Sequence, residues 1–495
     1  MTGLLALRNL GYRPWRTALL LAGYGIGVAV MIVLLSVGEA LLTQARDERL
    51  VGGGAITVLP EGIDVEVMKT GGLGGLFFSI DHASFIHRQL LGSPRLANHA
   101  PAVAPQIDGK LLYLRARGRD HPVRAIGELP SATRAVGGAP PLVAGSWIDD
   151  DGDRRWATPT PAELRHQIDR FHLPPAEVAD ASSWSEWHYF NVLSSDARRW
   201  AFVSLIVGGD VRDTSWGGQV LVTTHGLGAT PRRFATAVSR RDVRFSTTDA
   251  DLRIGQSSVT IRPDGRYTVR AAAREVGGSA TVLVDLVVAP APGAHFPPAS
   301  LGSGDFVSGY AVAALRADAA GTVCIEGRCE RFDGAQAYHD HNWGLWRGVT
   351  WEWGAARAGP FTILYGRVDP PDELTSSSPI FLFLVDSLGF RGLFRPERIA
   401  YEDTRLVPVG SRAVRAPARA TLAAIRGADT LRVDIEIEDA VATDMRSSVI
   451  GRGDARADAL TTPYFIQMMG AARLRGRVGG DVVFGEGKGF FETYR

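Results

Sequence analysis

One long apolar run and many short alternating runs divide the chain into unlike parts. Ala18 to Gly38 is a stretch of 21 residues without a charged side chain, and about 20 apolar helical residues cross the hydrocarbon core of a bilayer. The run therefore predicts a single membrane-spanning helix. A cleaved secretory signal is the alternative, although its apolar core usually has only about 7–15 residues.

Positive charges lie on the N-terminal side of this run. Arg8, Arg13 and Arg16 precede it, whereas the charges of residues 46–49 cancel one another. Basic residues stay on the cytoplasmic side of a membrane helix. We expect a single-pass protein of the cell inner membrane, with a cytoplasmic N-terminus and the bulk of the chain periplasmic or otherwise extracytoplasmic.

Beyond residue 175 the chain consists of short runs of alternating apolar and polar residues, separated by turn residues. Such runs are typical of antiparallel strands, and Asp264-Gly265 between two of them predicts a tight hairpin. The runs are WAFVSLIVGG, GQVLVTT, SSVTIRPDGRYTVRAAA, ATVLVDLVVAP, FTILYGRV, IFLFLVDS and TLRVDIEIEDA. The pattern predicts a mainly β fold with two consecutive β-barrels, because so many strands exceed one small barrel.

The same pattern suggests five segments. Residues 1–45 hold the N-terminus and the membrane helix, 46–150 form a small α+β extracytoplasmic domain, and 151–175 form an acidic, proline-rich linker with a short helix from Pro161 to Phe171. Barrel one is placed at 176–330 and barrel two at 331–495. A barrel interior can hold one small apolar ligand.

Composition excludes some classes of partner. The chain has 54 Lys and Arg against 53 Asp and Glu, a net charge of +1, and 45% hydrophobic residues. Disorder is excluded by this hydrophobic content, and no net field exists to attract nucleic acid. We expect no nucleic-acid partner.

Two aromatic segments carry the candidate chemistry. In Trp184 to Asn191, strand spacing places Glu186, His188 and Phe190 on one face, and Trp187 and Tyr189 on the other. In a second segment, Tyr338 to Gly344, the same spacing separates two sets of side chains. One set is His339, His341 and Trp343, and the other is Tyr338, Asp340 and Asn342. Only one set can point into a cavity.

Three interpretations of YHDHNWG remain open. His339 and His341 could ligate a metal with a third ligand such as Glu352. The segment could instead be a hydrogen-bonded polar corner. It could also be an acid site, in which a buried Asp340 holds a proton and neighbouring indoles stabilise a carbocation. The residues alone leave the polar corner and the acid site equally open, and we expect no metal and no cofactor.

In the acid-site hypothesis, Asp340, or a protonated His339 or His341, protonates a double bond of the ligand. The cation is then shielded by indoles and quenched by water. The chain has no GxSxG nucleophile motif and no GxxxxGK[ST] phosphate-binding loop. Neither a covalent hydrolase nor an ATPase is therefore expected.

The chain has two cysteines, Cys324 and Cys329, with Ile-Glu-Gly-Arg between them. Outside the cytoplasm, a glycine-bearing hairpin loop favours a disulfide between them. Its short loop predicts a smaller stabilisation than that of a long-range crosslink.

The N-terminal part resembles ABC-transporter permeases of the macrolide-exporter and lipoprotein-release type. The residues that carry the resemblance are those around the apolar run, together with ITVLPEG (56–62), VAPQI (103–107) and PLVAGSW (141–147). It implies a permease-like domain at 46–150 and an ABC transporter as a partner. The GxxxG of Gly23 and Gly27 offers a helix–helix dimer as another contact.

The β region resembles the carotenoid 1,2-hydratase (hydroxyneurosporene synthase) family and its lipocalin-like relatives. EWHYFNV, YHDHNWG and GEGKGFFETY carry the resemblance, over residues 180–495. It implies lipocalin-like barrels that bind a hydrophobic isoprenoid or polyketide molecule. The activity it implies is that of a hydro-lyase, or of a cyclase or isomerase.

Asp340, His339 and His341 are then the candidate catalytic residues. The candidate substrate-binding residues are Glu186, Trp187, His188, Tyr189, Tyr338, Asn342, Trp343, Trp346, Trp351 and Trp353. The alternative function is a non-catalytic binding protein that carries a hydrophobic ligand to a separate ABC transporter.

Overall fold

A computed structural model describes residues 14–46, 56, 58, 79–138, 146–228, 230–301, 307–371, 379–444 and 464–494. These residues form two compact units. The first is residues 1–79 with 102–150, and the second is residues 80–101 with 151–495. Of the segments that resemble permeases, ITVLPEG and PLVAGSW lie almost entirely outside the described residues.

The first unit contains the predicted membrane helix. Helix α1 (Pro14–Arg46) includes a 24-residue stretch, Pro14–Val37, that is long and apolar enough to cross a membrane. A secretory signal sequence would have the same properties, so these properties alone do not distinguish an anchor from a signal. The unit also holds the hairpin of β1 (Gln106–Ala116) and β2 (Arg119–Glu128).

The described residues also form four short α-helices, of which one belongs to the first unit and three belong to the second. Pro161 starts the last of them, and the Thr160 hydroxyl caps it by accepting a hydrogen bond from the Glu163 amide, while the Glu163 carboxylate accepts one from the Thr160 amide. This helix ends at Ile168, earlier than the predicted Phe171, because Asp169 leaves the helical conformation. The four helices are α2 (Ile80–Gly92), α3 (Pro130–Ala135), α4 (Asp151–Ala157) and α5 (Pro161–Ile168).

The second unit confirms the mainly β prediction. Its first sheet has 13 strands. They are β3 (Trp184–Leu193), β4 (Trp200–Gly209), β5 (Trp216–His225), β6 (Arg232–Ser239), β7 (Val243–Arg244), β8 (Leu252–Ile254), β9 (Ser257–Ile261), β10 (Tyr267–Glu275), β11 (Thr281–Pro290), β12 (Phe296–Leu301), β13 (Ser308–Ile325), β14 (Arg328–Arg331) and β15 (Ala335–Leu345).

Eight of these strands close into a barrel. The order β11-β13-β15-β3-β4-β5-β6-β10 returns to its start because β10 also pairs with β11. The join between β6 and β10 is narrow, since only Arg274 with Ala235 and Glu275 with Phe234 pair across it. The hairpin predicted at Asp264-Gly265 connects β9 to β10, with Gly265 at a φ of 77°.

The predicted disulfide is present. Cys324 and Cys329 are bonded and face each other directly across the hairpin of β13 and β14. The disulfide therefore fastens the end of one hairpin and connects no distant parts of the chain.

The second sheet has nine strands in the order β19-β18-β17-β16-β24-β23-β22-β21-β20. No pairing among its described residues joins the two edge strands. The strands are β16 (Thr350–Ala358), β17 (Phe361–Asp369), β18 (Phe381–Asp386), β19 (Gly389–Phe394), β20 (Ala400–Val409), β21 (Arg412–Arg426), β22 (Asp429–Asp444), β23 (Tyr464–Val478) and β24 (Asp481–Tyr494).

The chain passes from one sheet to the other between Leu345 and Thr350. The sequence placed the division between barrels at 330/331, before the YHDHNWG segment. The difference arises because β15 pairs with β3 of the first sheet along its whole length. The two sheets pack against each other through apolar side chains that include Phe202 and Phe490.

Candidate functional site

The two aromatic segments form neighbouring antiparallel strands. In the register of β3 and β15, Tyr189 faces Asp340 and His188 faces His341. Side chains alternate between the two faces of a sheet, so each strand presents one set to the barrel interior and one to its outside. This alternation separates an outer, cavity-lining face from an inner, polar face.

The outer face lines a cavity between the two sheets. Its empty volume is about 840 Å³, including solvent at the open side. The walls are Ser185, Trp187, Tyr189, Ser204, Ile206, Leu221, Asp340, Asn342 and Trp346 from the first sheet and the residues beside it, and Trp351, Trp353, Val368, Phe465 and Glu492 from the second sheet. The barrel interior, where we expected a ligand, is filled by side chains of the hydrophobic core such as Val203 and Leu286.

Asp340 is one of two buried carboxyl groups at this cavity. Its Oδ2 accepts a 2.7 Å hydrogen bond from the Tyr338 hydroxyl, and its Oδ1 accepts a 2.7 Å bond from Asn342 Nδ2. Trp353 Nε1 in turn donates to the Tyr338 hydroxyl at 2.7 Å. Burial raises the pKa of Asp340 to about 6, against the lowering effect of the hydrogen bond from Tyr338. Both oxygens thus face donors, an arrangement that suits an ionised carboxylate.

Glu492 is the second buried carboxyl group. Burial, together with the negative charge of Asp340, raises the pKa of Glu492 to about 8. Its Oε1 is buried without a hydrogen-bond partner. The Tyr189 hydroxyl, which hydrogen-bonds to Glu492, also accepts a 2.6 Å bond from Gln467 Nε2. Glu492 therefore holds its proton at neutral pH, beside a carboxyl group that is surrounded by donors.

Three of the four indoles that line the cavity lie close to one another. The ring centroids of Trp187 and Trp346 lie 4.6 Å apart, and those of Trp346 and Trp351 lie 5.6 Å apart. Trp346 Nε1 donates to the Ser185 carbonyl at 2.9 Å, which fixes the ring. The negative faces of such rings stabilise a positive charge at the site.

The inner face carries a buried cluster of histidines and carboxylates. Asp169, at the end of α5, has its Oδ2 2.8 Å from His339 Nε2 and its Oδ1 3.1 Å from His341 Nδ1. Glu186 Oε1 lies 2.8 Å from His341 Nε2. Burial alone would lower the pKa of His341, but its hydrogen bonds to Asp169 and Glu186 raise it to about 10.

His172 and Trp343 form the edge of this cluster. The His172 amide donates to Glu186 at 2.9 Å, and its Nδ1 lies 2.8 Å from Glu186 Oε1. The indole of Trp343 stacks on the His172 ring at 3.9 Å between centroids. Trp343 thus packs on the inner cluster and not on the cavity.

The candidate site residues separate into two groups. Those that line the cavity are Asp340, Trp187, Tyr189, Asn342, Trp346, Trp351 and Trp353, and Tyr338 binds Asp340 beside it. Those on the inner face are His339, His341, Glu186, His188 and Trp343. Glu352, the suggested third metal ligand, is not near the histidines and instead accepts hydrogen bonds from Tyr401 and Thr493.

Sequence reasoning missed several residues of these sites, and two of them are the carboxyl groups of Glu492 and Asp169. Glu492 belongs to GEGKGFFETY, a segment that was noticed only for its resemblance. Asp169 lies in the segment that was interpreted as a linker. Neither carries a local signal of its role, because their contacts with His339 and Asp340 join residues more than a hundred positions apart along the chain.

Comparisons with known proteins give only remote likenesses. No family model and no curated protein matches the chain. Similar solved structures include a candidate AttH from Nitrosomonas europaea (14% identity, TM-score 0.44), which aligns with 66% of this chain and 97% of its own. Kievitone hydratase from Nectria haematococca has 13% identity and a TM-score of 0.40, and the alignment covers 66% of this chain and 97% of that protein. CghA with Sch210972 has 13% identity and a TM-score of 0.38, and the alignment covers 67% of this chain and 97% of that protein. At TM-scores below 0.5 these likenesses carry no weight, and the mainly β fold stands on its own strand pairings.

Proposed function

We propose that this chain is a membrane-anchored enzyme that adds water to, or cyclises at, a C=C bond of a hydrophobic small molecule by proton transfer. One observation carries the proposal: two buried carboxyl groups, Asp340 and Glu492, face the same aromatic cavity. A site that only needs to hold an apolar ligand has no use for two carboxyl groups, because their burial costs stability.

The lining of the cavity supports a hydrophobic substrate. Its walls are mostly indole, phenyl and aliphatic side chains, the lining that is typical of pockets for apolar small molecules. An isoprenoid or polyketide molecule with an isolated double bond fits this chemistry. None of the described residues that line the cavity is cationic, so none of them would pair with a phosphate or carboxylate on the ligand.

The two carboxyl groups suit different roles in the reaction. Pairs of titratable groups whose pKa values are pushed apart are typical of acid and base partners. Glu492 holds a proton and has an oxygen without a partner, so it protonates one alkene carbon, and the π electrons form the new C–H bond. The carbocation on the neighbouring carbon then lies against the indoles of Trp187, Trp346 and Trp351.

Asp340 completes the reaction as the base. In hydration, a water molecule attacks the cation and gives one proton to Asp340, which leaves an alcohol. In cyclisation, a second double bond attacks and Asp340 removes a proton from carbon. One proton leaves Glu492 and one arrives at Asp340, so the charge balances, and exchange with solvent restores both groups. This assignment reverses the hypothesis from sequence, in which Asp340 donates.

The sequence resemblance to carotenoid 1,2-hydratases supports hydration as the first reaction to test. The roles suggested for His339 and His341 become those of positioning residues, since their rings lie behind Asp340 on the inner face. Helix α1 would anchor the chain in the inner membrane, with the second unit, called the β unit from here on, outside the cytoplasm. Its Gly23 and Gly27 leave open space on the helix surface, where a second helix or an ABC transporter could dock.

The proposal is tested on the full chain, extracted in detergent. Mass spectrometry of the molecules that copurify should identify an apolar ligand with a C=C bond or its hydrated or cyclised product. With that molecule as substrate, E492Q and D340N should each retain binding but lose about 10²–10⁴-fold in turnover. E486Q, which removes an exposed carboxylate from the same strand β24, is the matched control and should be as active as the wild type.

Two outcomes contradict the proposal. If E492Q and D340N convert the ligand as fast as the wild type, the carboxyl groups are not catalytic. If the ligand binds to all variants and is never converted, the chain is a binding protein that delivers cargo to another system.

A further inference from the structure

Three buried side chains converge at one point inside the first barrel. Asp169 Oδ2 lies 2.8 Å from His339 Nε2 and 3.5 Å from His188 Nδ1. All three side chains are fully buried, and their ligand atoms lie within 4.8 Å of one another. They come from separate elements: Asp169 follows α5, His188 lies on β3 and His339 on β15.

The hydrogen bonds on the far sides of the rings define which nitrogens hold protons. His188 Nε2 lies 3.1 Å from the Ala250 carbonyl, and His339 Nδ1 lies 3.0 Å from the Tyr189 carbonyl. A carbonyl oxygen only accepts hydrogen bonds, so these two nitrogens carry the N–H. In neutral imidazoles, His188 Nδ1 and His339 Nε2 then present lone pairs, and both point at Asp169 Oδ2.

A single proton does not satisfy this arrangement. A proton on His339 Nε2 would give one hydrogen bond to Asp169, but His188 Nδ1 would remain a buried nitrogen without a partner, as it is in this structure. Protonating both rings would place two adjacent imidazolium ions in the barrel core, with ring centroids 5.3 Å apart. A cation bound by two lone pairs and a carboxylate oxygen satisfies all three groups at once.

We propose that Asp169, His188 and His339 bind one divalent transition-metal ion inside the first barrel. Two imidazole nitrogens and one carboxylate oxygen are a donor set used for zinc and for related metals. In a tetrahedral zinc site, ligand atoms lie roughly 3.3 Å apart. The distances from Asp169 Oδ2 to His339 Nε2 (2.8 Å) and to His188 Nδ1 (3.5 Å) are on either side of this value.

The outer nitrogens of the two histidines and the second oxygen of Asp169 are also held by hydrogen bonds. Metal-binding histidines typically donate their other N–H to a carbonyl or carboxylate, as His188 and His339 do here. The remaining oxygen of Asp169 lies 3.1 Å from His341 Nδ1, which also lies 3.0 Å from the Asp169 carbonyl. His341 therefore orients Asp169 without being a ligand itself.

The metal would connect the end of α5 to two strands of the barrel. Since β3 and β15 carry Tyr189 and Asp340 on their other faces, the ion would also fix the wall of the cavity. Metal binding is independent of the proposed catalytic activity, and the two can fail separately.

The test uses the full chain in detergent, stripped with a chelator, incubated with Zn²⁺ or Co²⁺ and passed through a desalting column. Elemental analysis should find about one equivalent of Zn²⁺ per chain in the wild type, and Co²⁺ should give the intense visible bands of a four-coordinate N/O site. H188Q and D169N should lose at least about 90% of the bound metal. H295Q, which removes a buried histidine elsewhere in the same unit, is the matched control and should retain it.

A second measurement covers variants that fail to fold. The melting temperature of the wild type should rise with Zn²⁺ and fall again with chelator, whereas that of folded H188Q should not respond. The proposal is overturned if the folded wild type binds neither ion in stoichiometric amounts. It is also overturned if folded H188Q and D169N bind as much metal as H295Q.

Discussion

The buried carboxyl of Glu492 makes the stability of the β unit depend on pH, and E492Q should remove this dependence. Glutamine has nearly the same shape as protonated glutamic acid, so it fits between Tyr189 and the cavity without a new void. The substitution leaves an amide that does not ionise at any pH at which the chain is folded.

The sign and the magnitude follow from the pKa shift. The pKa of Glu492 rises from 4.5 to about 8, chiefly because of burial. Below pH 4.5 the group is protonated in both the folded and the unfolded chain. As the pH rises, the unfolded chain ionises first, so the stabilisation is lost progressively up to a pH of about 8. At 1.36 kcal/mol per pKa unit, the total change is about 5 kcal/mol.

The assay is unfolding by urea, followed by tryptophan fluorescence, at about pH 5 and about pH 8. The midpoints of the wild type and E492Q should nearly coincide at the lower pH, and E492Q should be clearly more stable at the higher one. E486Q should show the same difference from the wild type at both values, because Glu486 is exposed. An E492Q difference that does not change with pH would refute the reasoning. Glu492 would then be ionised in the folded chain and could not be the proton donor.

Three further predictions concern packing, crosslinking and the membrane. G309A should destabilise the β unit by about 1–3 kcal/mol in urea unfolding, because a Cβ at Gly309 would lie 2.3 Å from the indole of Trp343. Unchanged stability would show that this indole can move aside. Replacing Cys324 and Cys329 by serine should lower the free energy of unfolding by about 2 kcal/mol, measured as a lower unfolding midpoint under oxidising conditions. A much larger loss of stability would mean that the disulfide holds more than its own hairpin. V30R places a charge in the middle of α1 and raises the free energy of membrane insertion by about 2.5–3.5 kcal/mol. The variant should shift from the membrane to the soluble fraction, and an unchanged distribution would argue against α1 as the anchor.

Local periodicity was sufficient to predict much of the β region. Strand alternation separated Glu186 and His188 from Trp187 and Tyr189, and the structure places these pairs on opposite faces of β3. The hairpin at Asp264-Gly265 and the disulfide of CIEGRC were also predictable, because a tight turn and a short loop depend on neighbouring residues alone.

Contacts between distant segments were not predictable in this way. Alternation separates two faces but does not say which face meets a cavity, and here the answer depends on how the second sheet packs against β3 and β15. The cavity itself lies between sheets, whereas the barrel interior expected to bind a ligand is filled with core residues. Asp169 joins its site through contacts with β3 and β15 of the first sheet, and Glu492 joins the cavity because the second sheet packs against the first.

Strand β15 serves two sites at once, and this limits how the protein can change during evolution. Substitutions on one face can alter the cavity while the other face keeps the histidine cluster, so substrate preference can diverge by point mutation. A single inserted or deleted residue between Tyr338 and Trp343 would instead reverse the faces of all the residues on one side of it, so that Asp340 or at least one of the two histidines would leave its own site. The register of this segment is therefore constrained more strictly than its side chains. A library of substitutions should yield active variants there, and a library of one-residue insertions should yield none.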